Sequence, residues 1–324
     1  MTTAPEPAHG ARVAATAAAL GIGVAVAVQA RINGELGQRI DDAVVAAALS
    51  NLGGLLLLVT LAATGPRVRQ GLGRVRAAVR DHTLSRHQLF GGVCGAFLVV
   101  CQGLTVATIG VAVFTVAVVA GQTVSSLLVD RAGVGPGGAR PVTGRRVTGA
   151  GLALAAVALA VSHRIDAALS AWLVLLPVLA GAGTAWQQAV NGLVAAAARR
   201  GGPARAGVLA AALVNFGVGT AALVAAAVVE IEVRGQWPLP MPAAPWLYIG
   251  GPMGVLAVGI GAAIVGITGV LLLAVGAVTG QLVGGLLLDV LLPAGPTPVT
   301  ITTVAGTALT LVSVVVIALP RRRA

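Results

Sequence analysis

Uncharged apolar stretches long enough to cross a bilayer follow one another along almost the whole of the 324-residue chain. A helix needs about 20 such residues to span the ~30 Å hydrocarbon core. Residues 88–129 carry no charge, and neither do 235–288, so each is long enough for two spans joined near Gly110 or Gly269. Apolar residues make up 57% of the chain and charged residues 10%, which leaves no soluble domain to assign. A membrane β-barrel would alternate polar and apolar residues. These runs are continuously apolar, so helices are expected, since a helix satisfies its own backbone groups in lipid.

Ten spans are expected, over 12–33, 43–64, 89–108, 112–129, 147–162, 169–197, 206–229, 246–265, 270–288 and 298–318. Arg12 ahead of an apolar stretch and Val28-Gln29-Ala30 imitate a signal peptide. The stretch from Val13 to Ala30 is long for a signal core and nine spans follow, so a retained first helix is expected. With both termini placed in the cytoplasm, 17 arginines fall inside: Arg12, Arg67, Arg69, Arg74, Arg76, Arg80, Arg86, Arg131, Arg140, Arg145, Arg146, Arg199, Arg200, Arg205, Arg321, Arg322 and Arg323. Four, Arg31, Arg39, Arg164 and Arg234, fall outside, as the positive-inside rule asks. The net charge of +11 is thereby explained by topology and anionic membrane lipids, and nucleic acid is not expected as a partner.

The chain repeats itself. Gln29-x-x-x-Asn33-Gly34 matches Gln187-x-x-x-Asn191-Gly192, and Ala48-Leu49-x-Asn51-x-Gly53 matches Ala212-Leu213-x-Asn215-x-Gly217. Gly91-Gly92-x-x-Gly95 matches Gly250-Gly251-x-x-Gly254. Gly121-Gln122 with Leu127-Leu128-x-Asp130 matches Gly280-Gln281 with Leu286-Leu287-x-Asp289. From Gly91 to Asp130 the offset stays at 159 without a gap. Two five-span halves, 1–164 and 165–324, follow. Five is odd, so the second half must be inverted, and equivalent loops do exchange charge. Six arginines follow the second span, whereas Glu230, Glu232 and Arg234 follow the seventh. Inverted repeats are a device of secondary transporters, in which two equivalent halves expose a central site alternately.

On these motifs the chain resembles the drug/metabolite transporter superfamily, and within it the YdcZ-type, EamA-like bacterial inner-membrane proteins. The resemblance runs once through each half. It implies a multi-pass inner-membrane transporter, an exporter of a small-molecule solute, and it names no substrate.

No enzyme constellation is present: there is no lysine, no Gly-x-Ser-x-Gly and no His-Glu-x-x-His. Cys94 and Cys101 share one helical face and cannot pair, and His9, His82, His87 and His163 fall in or beside connections, so neither metal nor cofactor is expected. The informative residues are amides at lipid depth. Asn51, Asn215, Gln122 and Gln281 fall near mid-span; Gln29, Asn33, Gln187, Gln188 and Asn191 lie off-centre on spans one and six. An unpaired amide in hydrocarbon costs several kcal/mol, so these must face other helices or a wet cavity. Interhelical bonds, averaging about 0.6 kcal/mol each, are the plain explanation. Conservation of amide type between the halves favours a substrate site at the repeat interface. All nine are candidates for substrate binding, with Gln102 a weaker one because its counterpart is Gly261.

Asp130 and Asp289 end equivalent spans on opposite sides, where capping or anchoring a helix end avoids the cost of burying charge. Trp186 could stack on a flat or cationic solute, or simply pack. With no acid near the middle of a span, coupling through a midplane carboxylate is not expected. The leading expectation is a secondary transporter that exports by alternating access. A channel, a lipid translocator or a non-transporting scaffold on the same bundle remain the alternatives, and the oligomeric state stays open between monomer and homodimer.

Overall fold

The computed structural model describes residues 9–139, 141–162, 167–199, 204–235, 241–293 and 299–318. The 164/165 boundary between halves, together with His163, Arg140, Arg164, Arg200 and Arg321, Arg322 and Arg323, lies outside them. All regular structure among the described residues is helical. In chain order the α-helices are α1 (His9–Ile40), α2 (Ala43–Thr64), α3 (Pro66–Arg80), α4 (Gly91–Arg131), α5 (Gly144–Val161), α6 (Ala167–Arg199), α7 (Ala204–Arg234), α8 (Gly250–Leu291) and α9 (Ile301–Ala318). Short 3₁₀ turns, Arg86–Phe90 and Pro245–Tyr248, lead into α4 and α8 and extend the repeat one element further than the motifs do. Six helices are long and apolar enough to cross a membrane, and Gly250–Gly261 and Ile301–Ile317 are shorter apolar helices. Large apolar side chains such as Leu56, Leu104, Trp172, Val228, Leu256 and Val312 are exposed around the bundle, as a lipid-facing belt requires.

The 41 residues of α4 would extend about 60 Å if straight, twice the hydrocarbon thickness. They do not run straight. Gly110 has φ 81° and ψ 161°, which only glycine adopts cheaply, and the chain reverses there. In the first leg Cys94 packs at Gly183 and the Cys101 thiol donates to the Leu176 carbonyl at 3.7 Å, so this leg runs against α6. In the second leg Gly121 meets Val178, and beyond its end Gly135 meets Ala189 and Pro136 meets Gly192, so it runs with α6. The same happens in α8 relative to α1. Gly254 packs on Gln29 and Gly250 on Asn33, whereas Gly276 packs on Ala19 and Gly284 on Val24 and Ala27. Each of α4 and α8 thus supplies two legs to the bundle.

The halves interlock. Helix α1 packs chiefly on α8 of the other half, and α6 on α4. Each crossing is held by a reciprocal pair of glycines. A Cβ on Gly280 would lie 2.0 Å from the Leu20 carbonyl oxygen, and one on Gly23 1.9 Å from that of Ala277. In the equivalent crossing, a Cβ on Gly121 would lie 1.9 Å from the Val178 oxygen and one on Gly181 2.0 Å from that of Val118. Backbones that touch this closely gain dispersion contacts that lipid cannot supply. The fifth legs, α5 and α9, pair with each other, with Ser313 donating to the Gly149 carbonyl at 2.7 Å.

Two connections differ from expectation. The first helix continues to Ile40, carrying Glu35 and Arg39 as an i,i+4 ion pair at 2.5 Å, and α2 then starts at once on an Asp42 cap. The arginine-rich connection after α2 is itself a helix, α3. Its Val68, Gly71, Val75 and Ala78 are buried against α6 and α7, and Arg74 donates to the Ala198 carbonyl at 3.1 Å.

Candidate functional site

Four of the nine sequence-selected amides, together with Gln102, are bonded in two clusters that contain the repeat-equivalent Asn33 and Asn191. In one, Asn33 Nδ2 donates to Gln102 Oε1 at 2.6 Å, and the Ser50 hydroxyl donates to Asn33 Oδ1 at 2.8 Å. In the other, Gln187 Nε2 and Asn191 Nδ2 both donate to Asn215 Oδ1, each at 3.0 Å. The glycine motifs explain these clusters. Gly250 and Gly254 lie under Asn33 and Gln29, and Gly91 and Gly95 lie under Asn191 and Gln187. A Cβ on Gly250 would come within 2.2 Å of Asn33 Oδ1. The amide motif of each half therefore docks on the glycine motif of the other. Asn51, 7% exposed, has its amide nitrogen beside Gly219 of α7.

A cavity of about 430 Å³ opens elsewhere, at the arginine-rich end of the bundle. It lies between the second leg of α4, α6, the second leg of α8 and α9, beside the 135–138 loop. Its polar lining is Gln122, Thr123, Ser126 and Asp130 from α4 and Gln188 from α6; Val119, Val275, Val278, Val314 and Ile317 supply apolar surface. Asp130 at its rim is ion-paired with Arg146, both being partly exposed. Of the nine amides only Gln122 and Gln188 line this cavity; Asn51, Asn215 and Gln281 do not join Gln122 there, and Trp186 is half-buried outside it. Thr123 and Ser126 went unselected by sequence and Asp130 was expected only to cap or anchor a helix end, although positions 119, 122, 126 and 130 form one helical stripe. A smaller space of about 150 Å³ lies at the opposite end beside Arg31, Glu35, Gln38 and Arg39.

The repeat-equivalent of the large cavity is packed shut. Ala185, Gln188, Thr123 and Val275 line the cavity; their counterparts Ala27, Ala30, Leu282 and Val116 are each 0% exposed and belong to one apolar core. Thr115, in the same wall, has a hydroxyl that is buried and without a hydrogen-bond partner among the described residues. At this closed end Asp289 reaches the break in α4: Val111 N donates to its Oδ1 at 2.9 Å and Ala112 N to its Oδ2 at 2.8 Å. Beside it, Arg31 donates to the Pro293 carbonyl at 3.2 Å. Two equivalent half-structures thus hold one open end and one closed end. No three His, Cys, Asp or Glu side chains gather as metal ligands among the described residues.

A family model described as "Putative inner membrane exporter, YdcZ" matches the chain twice, over residues 14–159 and 172–316. The two matches coincide with the two interlocked sets of helices. No curated protein and no solved structure matches the chain.

Proposed function

Given that the chain belongs to the YdcZ family of inner membrane exporters, we propose that it carries a small organic solute out of the cytoplasm by alternating access, crossing the membrane ten times with both termini inside. It is a multi-pass inner-membrane protein. The observation that carries the reading is the asymmetry between equivalent surfaces: Gln188 and Thr123 face an open cavity while Ala30 and Leu282 are fully buried. The arginine-rich end is the cytoplasmic one by the positive-inside rule, so the conformer is open inward. The packed opposite end argues against a standing channel.

The cavity has the size of a small-molecule site. Gln122 and Gln188 bind the solute, with the Thr123 and Ser126 hydroxyls beside them. The carboxylate of Asp130 is already neutralised by Arg146, which suits a solute that is neutral or zwitterionic. The buried bonds of Asn33 and the half-buried ones of Gln187, Asn191 and Asn215 hold helices together instead. In the outward-open conformer Gln281, equivalent to Gln122, takes over the contact. The orphaned Thr115 hydroxyl supports this movement, because a buried unpaired group is tolerated more readily where the surface meets water in another conformer.

The test loads proteoliposomes with a mixed pool of amino acids, nucleosides and polyamines and follows their efflux by mass spectrometry. At least one solute should leave saturably, faster when the same solute is present on the far side. Gln122→Leu and Gln188→Leu should abolish that flux while the protein stays folded. Flux that does not saturate, no flux of any solute, or full flux in both variants would defeat the proposal.

A further inference from the structure

The contact between Asp289 and the break in α4 spans the closed end and joins the two halves. Both carboxylate oxygens accept backbone N–H groups at the start of the second α4 leg, at 2.9 and 2.8 Å. The approach needs Gly110 twice over. Its φ of 81° frees the amides of residues 111 and 112, and a Cβ there would lie 2.7 Å from Asp289 Oδ2. Charged acceptors at a helix N-terminus make strong caps. Any opening that draws the last turns of α8 away from the break in α4 breaks both bonds.

The repeat supplies a mirror device. Asp130 is equivalent to Asp289, and the 159-residue offset carries Gly110, Val111 and Ala112 onto Gly269, Val270 and Leu271. In this inward-open conformer Asp130 is held by Arg146 at the cavity rim. Resting on the alternating-access reading above, we infer that Asp289 and Asp130 are positioning residues that latch the two ends in turn. Asp289 on the amides of residues 111 and 112 holds the outer end shut. When that end opens, Asp130 leaves Arg146 and caps residues 270 and 271, closing the inner end. Neither aspartate binds the solute in its latched form. Each stabilises the conformer in which the other is released.

Accessibility of cysteine reporters tests the latch. The background removes the native thiols (Cys94→Ala, Cys101→Ala). One reporter is Ala30→Cys, in the closed wall, and the other Ala189→Cys, in the open cavity. A membrane-impermeant maleimide is added from the outer or the inner face of oriented vesicles. Losing two charge-assisted bonds should raise outside labelling of Ala30→Cys about tenfold or more in Asp289→Ala. Inside labelling of Ala189→Cys should fall in the same variant. Asp130→Ala should act in the opposite sense, lowering labelling at position 30 and sparing position 189. Asp289→Asn, which keeps the volume and one acceptor, should fall between, and it carries the test if the alanine variant fails to fold.

Equal increases at both positions would mark general loosening and overturn the latch. So would no change at position 30 in either Asp289 variant, or a rise there in Asp130→Ala. The labelling needs no solute, so a latch that fails while saturable flux persists leaves the transport reading intact. Reciprocal labelling without flux would do the reverse.

Discussion

Replacing Gly121 by alanine probes the crossing of α4 and α6. The new Cβ would sit 1.9 Å from the Val178 carbonyl oxygen, where ordinary contact begins near 3.4 Å. The helices must therefore part by about 3.4 − 1.9 = 1.5 Å, and the obstacle is backbone, which cannot rotate aside. Overpacking of this kind costs about 1–3 kcal/mol, with the rigid neighbour pushing the value to the upper end. A gap of ~1 Å between neighbouring atoms forfeits up to half of each dispersion well. Alanine returns about 1 kcal/mol of helix propensity, so the net loss is about 2 kcal/mol. For domains of 150–250 residues that lowers the unfolding midpoint by about 4–8 °C, with the smaller figure fitting a longer chain. Thermal unfolding in detergent, read by size-exclusion recovery, measures it. Gly151→Ala is the control, because nothing lies within 4 Å of its Cβ position and the same propensity gain applies. It should match the parent or exceed it by up to about 1 kcal/mol. Equal midpoints for the two variants would refute the argument that glycine contacts hold the halves together.

Asn215→Leu removes the acceptor shared by Gln187 and Asn191 and should cost about 1 kcal/mol, two bonds at ~0.6 kcal/mol each. Gln122→Leu, measured in the same chemical unfolding series, should cost nothing resolvable. Asp42→Ala strips the α2 cap bonds to Val44 N and Val45 N and one of the two acidic partners of Arg234, which keeps Glu230, and should lower stability by about 1–2 kcal/mol in the same assay. Alkaline phosphatase fused at Gly235 should be active and at Arg76 inactive, since the first position is external and the second cytoplasmic in the proposed topology.

Much of the architecture was legible because lipid leaves few choices. A continuous apolar run must be a helix, and the reversals near Gly110 and in α8 followed from runs twice the membrane thickness. The repeat was legible in the motifs because the same contacts are made twice. Their meaning was not. That Gln29-x-x-x-Asn33 rests on Gly250-x-x-x-Gly254 requires knowing that each half docks on the other, and no spacing within one half encodes its partner. Depth along a span separated polar from apolar positions but not bonded amides from cavity-lining ones. Asn215 and Gln122 looked alike in sequence; one accepts two hydrogen bonds and the other faces open space. In the sequence, helix α3 is masked by its five arginines, which suggest a solvated connection. Its signal was present in Val68, Gly71, Val75 and Ala78, spaced three, four and three apart, the period of one buried helical face. Asp289 was expected at a helix end, and the helix it caps belongs to the other half.

The interlocking of α1 with α8 has a consequence for how the protein is made. Leu20 is synthesised well ahead of the Gly280 that it must touch, which is 280 − 20 = 260 residues further along the chain. At roughly 5–20 residues per second, the first helix waits about 13–52 s for its partner to leave the ribosome. Throughout that interval Gln29 and Asn33 sit in the bilayer without the glycines that later receive them. The nascent chain is therefore at its most vulnerable to membrane proteases and to pairing with a neighbouring copy before the two legs of α8 are inserted, and a truncation that removes those legs strands the first helix as well.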